Sequence, residues 1–148
     1  MKQEKMRYDE FRALGQDKTS RGNRKVLNAE KTEQNGIMFA SRLERYMYNL
    51  LKMAEIPFEF QKRYTLQEGF RYNGEAVRPI TYTADFWLPG FDLVIDTKGL
   101  QTQQGALRIK LLKHRFAVQG LNTRIELPQD RNACVSLVCG LINARKKH

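Results

Sequence analysis

The 148-residue sequence is short of cysteine, short of acids and free of long apolar runs. Its two cysteines, Cys134 and Cys139, lie five positions apart in an apolar segment. That spacing turns them to different sides of a helix, which suits neither a disulfide nor a zinc site, so both read as buried free thiols. No stretch approaches the roughly 20 apolar residues that a bilayer-spanning helix requires. The N-terminal MKQEKMRYDE also lacks the apolar core of a secretory signal. No membrane partner is expected, and the cytoplasm is the expected compartment. Acids are outnumbered: 16 Asp and Glu face 26 Lys and Arg, a formal charge of +10. Such a surplus points to a polyanionic partner, nucleic acid before membrane. No internal repeat is present.

What is there is enough for one compact domain with a real core. Residues 1–34 are polar and charged and read as a basic N-terminal arm. Met6, Phe11 and Leu14 form a weak apolar stripe that would allow a short helix over 4–14, and Arg21, Arg24 and Lys25 would let the arm touch nucleic acid. The domain proper is expected over 35–148. "SRLERYMYNLLKMA" places Leu43, Met47, Leu50, Leu51 and Ala54 at helical spacing. "FEFQKRYTL" alternates as a strand does, Asn73-Gly74 marks a tight turn, and "ITYTADFWL" and "FDLVIDTK" read as two further strands joined at Pro89-Gly90. A helix fits 105–119, a strand 123–127, and a last helix follows Asp130. The fold class is therefore α/β, with a mixed four-stranded sheet flanked by helices in the order helix, three strands, helix, strand, plus a C-terminal helix. The first three strands meander antiparallel, and the helical crossover brings the fourth in parallel.

The segment "TYTADFWLPGFDLVIDTKG" combines a core hairpin with Asp85, Asp92, Asp96 and Lys98. If Pro89-Gly90 is a two-residue loop, Leu88 faces Phe91, Phe86 faces Leu93, and Ala84 faces Ile95. Asp85 then lies opposite Val94 on the other face, diagonal to Asp96, with Asp92, Asp96 and Lys98 following at a period of two. Cβ atoms of such diagonal neighbours are roughly 6–8 Å apart. Two carboxylates that close repel unless a cation separates them. A magnesium ion, which takes one or two carboxylates and keeps several waters, meets that need. It can activate water and steady a leaving oxygen at a phosphodiester, with Lys98 offsetting charge on phosphorus.

Asp85 followed by Asp96-Thr97-Lys98 resembles the signature of the PD-(D/E)XK nuclease superfamily, whose core of helix, three strands, helix and strand matches the order above. A closer resemblance is to a phage-encoded family of small nuclease-like proteins, through "NAEKTEQNGIMFASRLERYMYNL", "FQKRYTLQ", "RPITYTADFW" and "VIDTKG", which together reach from about residue 27 to 116. The resemblance implies a restriction-endonuclease-like fold and makes Asp85 and Asp96 metal ligands. It adds the Thr97 carbonyl, assigns Lys98 as the catalytic lysine, and brings in Glu44 as a further catalytic metal ligand. Gln61 matches a strand glutamine of such proteins, counted here among nucleic-acid contacts. Two departures stand out: Ala84 replaces the proline of the motif, and position 96 is Asp, where Glu is commoner. Glu44 also has a local explanation, since Ser41-Arg42-Leu43-Glu44 spells a capping box.

The helix over 105–119 carries Arg108, Lys110, Lys113 and Arg115, which suit DNA phosphates or a solvated face equally. The expectation is a metal-dependent endodeoxyribonuclease using magnesium, with manganese as a substitute. Its DNA would be branched, as for a Holliday-junction resolvase, in recombination, replication or packaging in a phage-infected bacterial host. Two cuts need two sites, so a homodimer is expected. The alternatives are a non-catalytic DNA-binding or packaging accessory on the same fold, or a sequence-specific nicking or restriction-type nuclease.

Overall fold

The computed structural model describes residues 31–97 and 102–146. The helix expected over 4–14 lies outside the described residues. Among the described residues the fold is α/β, with a mixed four-stranded sheet and three helices, the last of them C-terminal. The chain forms two compact units. One comprises, of the described residues, 31–57, Thr97 and 128–146; the other comprises 58–96 and 102–127.

In the first unit, β1 (Thr32–Gln34) and β2 (Ile37–Phe39) form an antiparallel hairpin. Asn35 and Gly36 both take left-handed backbone at its turn, φ 52° and 79°, as a tight primed turn requires. The reciprocal amide bonds between Gln34 and Asn49, 2.7 and 3.0 Å, tie the hairpin to the next element. That element is α1 (Arg42–Met53), which buries Met47, Leu50 and Leu51 on one side. It stops where Glu55 turns left-handed at φ 55°, and Arg145 donates to the Ala54 carbonyl at 3.0 Å. The partner helix α3 (Arg131–Lys146) starts at Asp130, whose carboxylate accepts the Ala133 N–H at 2.7 Å. Cys134, Val135, Val138, Cys139, Leu141 and Ile142 are all buried. Both cysteines are free, as expected; the buried face is wide enough to take in both sides on which they project.

In the second unit, β3 (Glu59–Gln67) pairs antiparallel with β6 (Ile80–Leu88), β6 pairs antiparallel with β7 (Leu93–Ile95), and β7 pairs parallel with β8 (Arg124–Glu126). The meander and the parallel return match the sequence reading. Helix α2 (Gln103–Val118) makes the crossover, with the Thr102 hydroxyl accepting the Gly105 N–H at 3.0 Å. Its Ile109, Leu112 and Phe116 pack on Leu66, Tyr82, Ala84 and Val94. The aliphatic side chains and Phe116 each contribute about 1.5–3 kcal/mol by leaving water, and the Ala84 methyl about 0.8 kcal/mol. Phe116 also meets Tyr64 edge-on, with centroids 5.5 Å apart. Between β3 and β6 the chain runs out into a small hairpin, β4 (Phe70–Tyr72) and β5 (Glu75–Val77), turning at Asn73-Gly74 as expected.

The turn after β6 departs from the expectation. Pro89-Gly90 is not a two-residue loop. Pro89–Phe91 forms a 3-10 turn, and Asp92 closes it in left-handed backbone at φ 48°. The connection is thus two residues longer, and Leu88 faces Leu93 while Phe86 faces Ile95. Among the described residues, no helix is long and apolar enough to cross a membrane.

Candidate functional site

The β6–β7 ladder ends at the pair Phe86↔Ile95. One step further along each chain stand Asp85 and Asp96, the two acids singled out in the sequence. The longer turn therefore corrects their expected relation: Asp85 faces neither Val94, which pairs with Trp87, nor a diagonal neighbour at position 96. Continuing the observed register sets residue 85 directly across from residue 96. Directly opposed positions have Cβ atoms about 4.5–5.5 Å apart, closer than diagonal ones.

Asp96 is 0% exposed, with both carboxylate oxygens buried. Its N–H donates to the Glu126 carbonyl at 3.0 Å, carrying the parallel pairing one residue beyond β7. A buried carboxylate is costly unless cations or donors compensate it. Thr97, next in the chain, is also buried. Asp85 is half-buried.

The third strand at this point is irregular. The pairs Phe60↔Phe86 and Lys62↔Ala84 bracket Gln61 and Asp85. Gln61 takes φ 57° in the middle of a nine-residue strand, a conformation rare for a residue with a Cβ. Ala84 and Trp87, three positions apart on β6, both pack toward the α2 cluster. Burial along β6 nevertheless alternates without a break from Tyr82 to Leu88, so the irregularity is confined to the bend at Gln61. No residue type in "FQKRY" signals this, and the sequence reading missed it.

Asp92 belongs to the turn and not to the strand, so it does not continue the row formed with Asp96. Its carboxylate accepts the Thr123 hydroxyl at 2.8 Å and its carbonyl accepts the Arg124 N–H at 3.1 Å, which locks the turn to the start of β8. Burial, followed by the charges of Glu59 and Asp92, pushes the nearby Tyr64 hydroxyl up to about 12.

Glu44 is 2% exposed in the first unit. Its N–H donates to Ser41 Oγ at 3.1 Å, and its carboxylate accepts the Ala40 N–H at 2.6 Å. This is a capping box displaced by one residue at its acidic end. On α2, Arg108, Lys110 and Lys113 are exposed, as is Gln61 on β3. Arg115 is held back by Glu68 at 3.6 Å. Lys98, Arg21, Arg24 and Lys25 lie outside the described residues. Among the described residues, no group of three or more His, Cys, Asp or Glu side chains gathers as a metal cluster.

Neither the curated proteins nor the solved structures contain a match to this chain. Residues 24–126 match the family described as a protein of unknown function, DUF1064; the match spans well over half of the sequence and takes in Glu44, Asp85, Asp96 and the whole four-stranded sheet, so the chain belongs to that family.

Proposed function

We propose that this chain is a magnesium-dependent endonuclease that hydrolyses DNA phosphodiester bonds on a restriction-endonuclease-like core. The observation that carries the reading is the juxtaposition of Asp85 and the buried Asp96 one step beyond the Phe86↔Ile95 pair. Two carboxylates at facing strand ends make an all-oxygen donor set. That set fits a hard divalent ion that retains much of its water and needs no third acid. When bound, the ion supplies Lewis acidity and a more acidic water.

The chain's own residues do the rest. Asp96 is held by its N–H bond to Glu126 and has little freedom to swing. Asp85, half-buried, would take the ion's other side. Lys98, two residues past Asp96, supplies an ammonium that orients the attacking water or offsets charge on phosphorus. Exposed Arg108, Lys110 and Lys113 neutralise neighbouring phosphates. The DNA proposed is branched, in phage recombination, replication or packaging. Cutting two strands favours a homodimer.

The test is incubation with linear, nicked and four-way-junction DNA in magnesium or in chelator. Wild type cleaves only with metal. Lys98→Ala lowers the rate about 10²–10⁴-fold, and Asp96→Ala abolishes cleavage. Wild-type protein that binds DNA but cuts none of these with magnesium or manganese would instead be a non-catalytic accessory.

A further inference from the structure

The β4–β5 hairpin buries almost nothing. Phe70 is 45% exposed and Tyr72 65% exposed, and Val77 and Ile80 are exposed beside them. The pairs Phe70↔Val77 and Tyr72↔Glu75 place both rings on one face, whereas Arg71↔Ala76 occupies the other. The rings are thus side by side, two positions apart on one strand. An isolated two-stranded hairpin is marginal in water, and exposed rings on its surface add nothing to its stability.

The hairpin is nevertheless well defined at both ends. At the tip, Asn73 and Gly74 take φ 46° and 84°, and the Arg71 guanidinium folds back to donate to the Gly74 carbonyl at 3.1 Å. At the neck, a Cβ on Gly69 would stand 3.2 Å from the Val77 carbonyl oxygen and 3.3 Å from Pro79 Cδ. The two strands therefore pinch together where the hairpin leaves the β3–β6 ladder. Cations lie along the same segment: Arg71 on the hairpin, Arg78 just after it and Arg63 on the stem are all exposed. Two acids lie close by: Glu68 is offset by Arg115 at 3.6 Å, and exposed Glu75 stands across from Tyr72.

Flat exposed rings interleaved with guanidinium groups, on a chain of charge +10, match one class of ligand. Unpaired nucleobases stack on aromatic faces while cations track the backbone. We propose that Phe70 and Tyr72 form a stacking platform for unpaired bases, so that the DNA engaged has a melted, single-stranded or branched segment. The proposal takes from the nuclease reading only that the partner is DNA. A fully paired duplex keeps its bases stacked on one another and offers the rings nothing.

The test uses the full chain in chelator, where no cleavage occurs. Binding of a labelled four-way junction, a single strand and a blunt duplex is followed by fluorescence anisotropy, with 2-aminopurine at the junction as a stacking reporter. Wild type prefers the first two DNAs and quenches the reporter. The Phe70→Ala/Tyr72→Ala double variant loses that preference by about tenfold or more, from stacking worth about 1–3 kcal/mol per base, and Phe70→Trp with Tyr72→Phe retains it. Equal binding of all three DNAs by wild type and the double variant overturns the proposal. So does a double variant that turns a dimer into a monomer in sedimentation, since the rings would then meet a second copy. Wild-type protein assayed with magnesium in parallel separates the two readings. A platform that works in a protein that never cuts defeats the nuclease alone, and metal-dependent cutting indifferent to the two rings defeats the platform alone.

Discussion

Gln61 stands across the β3–β6 pairing from Asp85, in left-handed backbone, while the register on either side of it is unchanged. No residue has been inserted to make the bend. The strand simply turns at one amide and resumes. A side chain with a Cβ held there stores roughly 1–3 kcal/mol of backbone strain, next to one of the two acids on which the proposed chemistry depends.

Substitutions at position 61 should therefore rank by tolerance of positive φ and not by strand propensity. Gln61→Gly should melt at or above wild type, Gln61→Ala below it, and the β-branched Gln61→Val lowest, although valine is the best strand former of the three. Thermal unfolding followed by circular dichroism reads the order. Valine ranking highest would show that the bend is not maintained.

The start of α1 gives a second expectation. Ser41→Ala removes the acceptor for the Glu44 N–H and should cost about 1 kcal/mol. Glu44→Ala empties a buried position and orphans the Ala40 N–H, at a cost of about 1–3 kcal/mol. The two residues share one network, so the double variant should lose less than the sum of the singles. Urea denaturation of the four proteins completes the cycle.

Alkaline pH gives a third. Burial, with a smaller push from Asp130, raises the Cys134 thiol from 9.0 to about 12. The thiol stays protonated in the folded chain while the unfolded chain ionises. The stabilisation it brings is complete below about pH 9 and is lost as pH climbs from there toward 12. Tyr64 acts in the same direction between 10.0 and about 12. The urea midpoint should therefore fall between pH 8 and pH 10.5, and fall less in Cys134→Ala. An equal decline in both proteins would refute the assignment to this thiol.

The fourth concerns α2. If exposed Lys110 and Lys113 lie on DNA phosphates, Lys110→Ala and Lys113→Ala should each weaken binding of every sequence alike and lower the slope of log affinity against log salt by about 1. Arg115→Ala should do less, because Glu68 already engages that guanidinium. An unchanged salt slope in the lysine variants would leave this helix face to solvent alone.

Much of this architecture could be read from spacing. The periodic apolar positions of α1 and the alternation in β3 and β6 report burial directly, so those elements appear within a residue or two of their expected limits. The parallel return of β8 follows from the crossover rule. The turn after β6 was misjudged because Asp92 in left-handed backbone and a 3-10 turn look, in sequence, like the beginning of a strand. The error of two residues preserved the facing of every side chain on β7, which is why Asp96 remained paired with the right strand. The β1–β2 hairpin went unread although Asn35-Gly36 is the same turn signal as Asn73-Gly74. Its flanking strands are three residues long, β1 wholly polar and β2 wholly apolar, so no alternation frames the turn. The bend at Gln61 has no local signature at all, since glutamine carries no preference for it.

Asp96 is fixed in place by a carbonyl from β8, a segment made only after the whole of α2. During synthesis on the ribosome, the acid emerges early but has nothing to dock against until Glu126 follows. A nascent or truncated chain ending within α2 would thus carry both aspartates and lack the clamp that sets one of them, which makes completion of the crossover the step that seats this acid.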